Sequence, residues 1–276
     1  MNQVMPVVVI APSRKWFDLK LASLWEYREL LLFLAWRDLK ARYAQTAIGL
    51  LWAVLQPLAM MIVFTIVFGR LADIPSENVP YPLFAYAALV PWTYLSKSLD
   101  RGASSVVSEA NLVTKVYFPR VIIPVSAVLG GLVDFGISFL LLLVLMIWYG
   151  VNPGWLVLVI PLLTLMTVTM ALAVALWLAA LYVKYRDVGA VVPLLTQLWM
   201  FASPIVYPLS MIPEQWRAVY ALNPMVGLIQ CYRWTLLGAE APDPLLLVQS
   251  VVLITCLLLG GLAYFNRAER TFADVI

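Results

Sequence analysis

Residues 121–148 form a continuous apolar run whose single charged side chain is Asp134. About 20 apolar residues in helical form cross the roughly 30 Å hydrocarbon layer of a bilayer, so this stretch exceeds what one crossing needs. Two further runs, 155–183 and 245–265, carry no charge at all. Segments of this kind leave few options. In lipid every backbone N–H and C=O must bond inside its own segment or a closed barrel, and uninterrupted apolar runs of this length select the helix. Of the 276 residues 63% are apolar and 12% charged, about half the ~25% charged share usual in soluble domains. The sequence reads as an all-α membrane protein.

The hydropathy pattern predicts six transmembrane helices, at 48–68, 81–99, 121–148, 155–183, 189–207 and 245–265. The second is less apolar than the rest and ends in Ser96, Lys97 and Ser98. Ahead of the first span, residues 1–47 form a cytoplasmic segment distinct from the domain at 48–276. Within it, 26–43 holds neither Pro nor Gly, mixes aromatic with basic residues and ends in a charged turn. That combination predicts an amphipathic helix in the membrane interface. The N-terminal Val7-Val8-Val9-Ile10-Ala11 is too short for a signal h-region, and the basic residues follow it, so the first span is expected to act as an uncleaved insertion signal. Between spans five and six the chain carries Pro208, Pro213, Pro224 and Pro242 around short apolar pieces. These are too short to cross and predict re-entrant or gate helices.

Charge orients the spans. With six crossings, 15 of the 18 Lys and Arg fall on the side of the termini, leaving Arg70, Arg217 and Arg233 on the other. Cytoplasmic loops carry the positive excess, so both termini are expected in the cytoplasm.

Enzyme signatures are missing: no phosphate-binding G-x-x-x-x-G-K-[ST] loop, no H-E-x-x-H, no G-x-S-x-G. Histidine is absent, which removes the commonest general base and metal ligand. Cys231 and Cys256 lie far apart in apolar surroundings and read as small buried hydrophobes. No catalytic residue, cofactor or metal is therefore assigned to this chain. If it moves a substrate uphill, the energy comes from an ion gradient or from another subunit. Asp134 is the one ionisable residue deep in a span, which by itself marks a functional or tethering role. Gly130, Gly131 and Gly136 beside it allow a neighbouring helix to come close. The cytoplasmic stretch 108–120 reads as a short amphipathic helix stopped by Pro119. Held outside the bilayer, it needs a surface to pack against.

A resemblance now enters on specific residues. Trp36-Arg37-Asp38-Leu39-Lys40-Ala41-Arg42-Tyr43, then Thr46, Gly49, Leu51-Trp52 and Gln56-Pro57, resemble the start of an ABC-2-type permease of the polysaccharide and polyol-phosphate exporter family. Asn111-Leu112-Val113, Lys115 to Arg120, Tyr185-Arg186-Asp187-Val188, Ser203-Pro204-Ile205-Val206-Tyr207 and Asn223-Pro224-Met225 follow in the family's order and spacing. The resemblance implies a permease homodimer bound to two copies of a separate ABC ATPase, which holds the ATP and Mg. It implies export of a lipid-linked polysaccharide, of O-antigen, capsule or teichoic-acid type, across the bacterial inner membrane. Membrane lipid is the remaining partner, and no nucleic acid is expected.

Within that frame, Asn111, Lys115, Tyr117, Phe118, Arg120, Arg186 and Asp187 are the expected ATPase-coupling residues. Their alternative role is to satisfy topology and lipid headgroups. Lys97 and Arg101, at the end of span two, are the cations placed to meet a lipid-diphosphate headgroup. Trp216, Tyr220, Tyr232 and Trp234 are outer-gate candidates, ordinary aromatic anchoring being the alternative. Two other function classes remain at this point. An ion-coupled transporter needs several buried titratable residues, and a lipid-glycan-processing membrane enzyme needs an interfacial polar cluster.

Overall fold

The computed structural model describes residues 25–44 and 51–272, and within them the protein is helical without strands. The basic and aromatic residues before Trp25, together with Thr46, Gly49 and the first residues of the 48–68 span, lie outside the described part. The elements are α1 (Arg28–Tyr43), α2 (Leu51–Phe64), α3 (Tyr81–Ser108), α4 (Ala110–Lys115), α5 (Ile122–Leu129), α6 (Leu132–Trp148), α7 (Ile160–Lys184), α8 (Val188–Phe201), α9 (Glu214–Tyr220), α10 (Pro224–Leu237) and α11 (Pro244–Ala268). A π-helical turn, Thr65–Leu71, prolongs α2, and a 3₁₀ turn, Trp155–Val159, leads into α7.

Four helical stretches are long and apolar enough to cross a membrane: Leu51–Leu71, Ile122–Trp148, Trp155–Lys184 and Pro244–Thr271. The other two expected spans differ. The helix at 81–99 continues to Ser108, about 42 Å of axis, and α3 is buried along most of its length. It packs against α2, α5, α6, α7, α8 and α10, which makes it the central post of the molecule. Its modest hydropathy follows from that position: a helix sheathed by protein need not be uniformly apolar. The 189–207 span stops at Phe201, and α8 is only about 21 Å long. Residues 202–207 leave the helix at Ser203-Pro204, where the residue before a proline disfavours α conformation.

The 121–148 run is also two helices. The chain breaks at Gly130-Gly131, where a Cβ at Gly131 would lie a tight 3.1 Å from the Tyr94 ring and one at Gly130 would make ordinary contact, 3.6 Å, with the Ala35 carbonyl oxygen. The break thus lets α3 and α1 reach the start of α6. Gly136 has open space around it and takes no part.

Two apolar clusters divide the interior along α3. The larger gathers Leu83, Phe84, Leu89, Leu95, Met170, Ile205, Met225 and Tyr232. The smaller joins Leu34, Val106, Val113, Phe118, Ile122, Ala180, Val183, Phe265 and Phe272. Because the second cluster includes residues beside both Lys184 and Ala110, the 109–121 and 184–187 connections lie at one end of the molecule. Helix α1 and the end of α11 lie there too. At the opposite end of α3, Tyr81 donates to the Val206 carbonyl at 2.7 Å, which locates the 202–243 segment there.

Candidate functional site

The segment expected to form one amphipathic helix over 108–120 is shorter than that. Helix α4 covers six residues, and Val116 is already extended. A β-branched residue followed within three positions by Pro119 ends the helix early. Asn111, Lys115 and Tyr117 face outward, Tyr117 being 71% exposed. Phe118 points the other way and is buried in the smaller cluster, so it anchors the segment and presents no docking surface. Arg120 is engaged internally: its backbone N–H donates to a Glu269 carboxylate oxygen at 3.1 Å, and its guanidinium donates to the Glu269 carbonyl. Arg186 and Asp187 stand exposed between α7 and α8. Five of the seven coupling candidates therefore share an exposed surface at one end of the molecule, while Phe118 and Arg120 hold that surface to the body.

Glu109 lies just ahead of α4 and is gripped by Arg37 of α1, whose Nη1 donates at 3.2 Å and whose Nη2 makes a second, shorter contact. This bond, then burial acting against it, leaves the Arg37 guanidinium pKa raised above its ordinary value. Two parallel N–H···O bonds fix direction as well as distance, so α1 sets the position of α4.

Asp134 occupies the first turn of α6, where a carboxylate is favoured by the helix N-terminus. One of its oxygens accepts from Arg42 Nη1 at 2.8 Å and from Arg101 Nη2 at 3.1 Å, and the other accepts from the Tyr43 hydroxyl. Three donors from two other elements, α1 and α3, converge on one carboxylate that is 10% exposed. Burial, and then the Asp134 carboxylate, push the Tyr43 phenol up to about 12, which keeps it a hydrogen-bond donor at neutral pH. Lys97, one helical turn before Arg101, lines the same small cavity as Asp134 and Ser138. Lys97 also faces a groove of about 420 Å³ between α2, α3 and α8, whose polar lining includes Gln56, Thr93, Ser96, Asp100 and Gln197. Arg101 lines the same small cavity and also borders one of about 430 Å³, lined by Arg37, Arg42, the Asp38 and Glu109 carboxylates and the Ser104, Ser105 and Ser126 side chains.

The four outer-gate candidates do not form one belt. Trp216 is exposed on α9, and Tyr220 on the same helix bonds the Tyr207 hydroxyl. Trp234 is half-buried on α10. Tyr232 is 1% exposed in the larger cluster, its hydroxyl 3.2 Å from Thr167 Oγ1. The reason is that α10 is a buried helix, so its aromatic residues pack inward.

Sequence reasoning missed the residues that organise this end. Asn223 uses its full hydrogen-bonding capacity: Oδ1 accepts from Trp199 Nε1 at 2.9 Å and from the Met225 N–H at 3.1 Å, while Nδ2 donates to the Ala202 carbonyl at 3.1 Å and to Ser203 Oγ at 2.9 Å. It caps α10 and ties it to the end of α8. The signal was legible locally, since Asn followed by Pro is a helix N-cap and N1 pair. Arg233, which the charge count places on the outer side, is buried. It donates to the Ile205 carbonyl at 2.8 Å and the Phe84 carbonyl at 3.2 Å, with its guanidinium 3.4 Å from the centre of the Phe84 ring. No local pattern announces such a contact.

Comparison with known proteins bears on this arrangement. The family described as ABC-2 type transporter matches residues 29–237, from α1 to the end of α10. The chain belongs to the ABC-2 type transporter family. An O-antigen export system permease protein, RfbA, of Myxococcus xanthus is 37% identical to it over 92% of this chain and 98% of the relative. An RfbA of Klebsiella pneumoniae is 27% identical over 90% of this chain and 95% of its own length. The polysialic acid transport protein KpsM of Escherichia coli is 23% identical over 85% and 91% respectively. These relatives are membrane permeases of polysaccharide transport systems. The matched ABC-2 region contains the Arg37–Glu109 clamp, the Asp134 cluster and the exposed 111–117 and 186–187 surface, so all three belong to the transporter body.

Proposed function

We propose that this protein is the membrane permease of an ATP-driven exporter that moves a lipid-linked polysaccharide, of the O-antigen type, across the bacterial inner membrane. The O-antigen permeases similar over nearly the whole chain support the substrate class. In this reading residues 1–47 are a cytoplasmic segment with an interface helix, and 48–276 form a six-span domain. The four long apolar stretches are spans, α3 is a fifth sheathed by its neighbours, and α8 with its extended continuation is the sixth. Both termini face the cytoplasm, as the excess of Lys and Arg at that end supports. Two permease chains pair, and each binds one ATPase subunit carrying ATP and Mg.

The observation that carries the reading is the shared exposed surface of Asn111, Lys115, Tyr117, Arg186 and Asp187, which is seated on the smaller cluster and braced by α1. ATP-driven closure of a partner against a rigid surface displaces the helices it joins, here α3, α5, α7 and α8. Arg120 and Phe118 transmit that displacement from the inside. Lys97 and Arg101 stand along the path a diphosphate headgroup takes from the cytoplasmic side to the groove. On the far side, α9 and α10 close the exit, with Trp216 and Tyr220 at the surface and Tyr232 and Trp234 holding α10. Asp134, bonded to two guanidinium groups, serves here as a partner in an ion cluster, which removes the main support for an ion-coupled mechanism.

The test is Lys115→Ala with Tyr117→Ala in the permease–ATPase complex. Both side chains are exposed, so membrane insertion and thermal stability stay at wild-type levels while export falls and ATP hydrolysis no longer depends on the glycolipid. Unchanged export would sink the coupling assignment.

A further inference from the structure

We infer that Asp134 is the resident occupant of an anion site, holding Arg42 and Arg101 until the diphosphate of a lipid headgroup takes its place and releases α1 from α6. The inference rests on the headgroup reading of Lys97 and Arg101, and adds what regulates that site.

The first argument is charge. Arg42, Arg101 and Lys97, all partly exposed, surround the one carboxylate of Asp134, and the adjoining cavity sets Arg37, Arg42 and Arg101 against Asp38 and Glu109, so cations outnumber carboxylates at both places. Uncompensated charge withdrawn from water is expensive and seeks an anion. The second is geometry. Both guanidinium groups bond the same oxygen of Asp134, the arrangement in which two arginines grip one phosphate oxygen. The third is an unfilled donor. Arg101 Nη1 is buried and bonds nothing, although the same guanidinium reaches Asp134 through Nη2. Asp134 meets Arg101 through Nη2 alone and leaves this second nitrogen unpaired, whereas a diphosphate has more oxygens, spread over a longer span, to reach both. The fourth is access. The cavity of about 430 Å³ beside Arg37, Arg42 and Arg101 is large enough for a diphosphate and a first sugar, whereas the space at Asp134 itself, about 10 Å³, holds about one water molecule. An anion therefore enters beside the arginines, and they turn to it.

The consequence is mechanical. Arg42 and Tyr43 are the last residues of α1, and their bonds to Asp134 pin that helix to α6. When phosphate takes Arg42, the pin is reduced to its Tyr43 bond and α1 loosens from α6, while the Arg37–Glu109 clamp stays closed. Helix α1 then reports headgroup loading to α4, the element placed against the ATPase.

The experiment measures binding of a long-chain prenyl diphosphate to the purified full-length protein in nanodiscs, beside prenol without phosphate and inorganic pyrophosphate. Asp134→Asn removes the resident anion and should tighten prenyl diphosphate binding by about tenfold or more. Tyr43→Phe, which frees the carboxylate without altering charge, should tighten it in the same direction by a smaller factor. Arg101→Gln and Arg42→Gln should weaken it at least about tenfold, and prenol should not bind at the site. A purely structural Asp134 predicts the reverse for the first variant, because losing the tether disorders the arginines. Unchanged or weaker binding in both Asp134→Asn and Tyr43→Phe, with Arg101→Gln still impaired, overturns the exchange and leaves the headgroup reading standing. If Arg101→Gln binds like the wild type, both fall. Pyrophosphate binding as tightly as the lipid would keep the exchange and assign the site to free anions.

Discussion

Helices α3 and α7 are in tight contact where Gly102 faces Ala175. A Cβ built on Gly102 would lie 2.6 Å from the Ala175 Cβ, about 1 Å inside ordinary van der Waals contact. Neither atom has a rotamer to change, so Gly102→Ala must push two backbones apart. Overpacking of this kind costs about 1–3 kcal/mol, and alanine's better helix propensity returns up to about 1 kcal/mol. The expected net loss is about 1–2 kcal/mol, read as a lowered unfolding midpoint in a detergent titration. The double variant Gly102→Ala with Ala175→Gly moves the methyl group to the other helix and should recover most of the loss, giving a coupling energy of about 1 kcal/mol or more. The same contact lies near the ends of α3 and α7 that carry the exposed 111–117 and 186–187 residues, so Gly102→Ala should also lower export beyond its effect on abundance. A Gly102→Ala protein as stable as wild type, or one that Ala175→Gly does not rescue, would refute the claim that this approach sets the helix spacing.

The Arg37–Glu109 clamp is partly solvent-exposed, so Glu109→Ala should cost less than about 1 kcal/mol, and less at high salt; a double-mutant cycle of Arg37→Ala with Glu109→Ala should isolate that coupling from the neighbouring Arg37–Asp38 pair. Asn223→Ala removes a helix cap and strands the Trp199 indole N–H, and should lower stability by about 1–3 kcal/mol in thermal unfolding, whereas Asn223→Asp, keeping the Oδ1 acceptor, should lose less. Burial raises the carboxyl pKa of Glu77, in the loop between α2 and α3, against the opposing charge of Arg233. The folded state therefore favours the protonated form, so Glu77's contribution to stability is full below the unfolded value of about 4.5 and declines as pH rises through the raised folded value. Glu77→Gln should flatten that decline in a pH series of unfolding temperatures, and an identical pH profile in the variant would rule it out.

The exposure of five of the coupling candidates was legible residue by residue. Asn111, Lys115, Tyr117, Arg186 and Asp187 are hydrophilic positions between apolar runs, and such positions have few places to be except the surface. The burial of Phe118 was not legible, because a short aromatic-rich connection reads the same whether its ring faces water or a cluster; it depends on Val113, Ile122 and Val183 arriving from elsewhere. The burial of Tyr232 escapes the sequence for the same reason. A 14-residue helix looked interfacial by length, but α3, α7 and α11 cover it.

The apolar runs alone determined that this chain is helical and membrane-embedded, because a backbone in lipid has only local partners available and the helix satisfies them within one segment. The distribution of Lys and Arg, likewise additive along the chain, supported an orientation. What those runs could not specify was which helix stands at the centre. The least apolar expected span proved to be the post on which the others pack, since a helix enclosed by protein is relieved of the need to face lipid. Nor did the sequence reveal what Asp134 bonds. Its partners lie 33, 91 and 92 residues away, and only the break at Gly130-Gly131 brings α1 and α3 to it. Periodicity reports on one segment at a time; ion clusters and helix crossings depend on several segments at once, and these the tertiary structure decided.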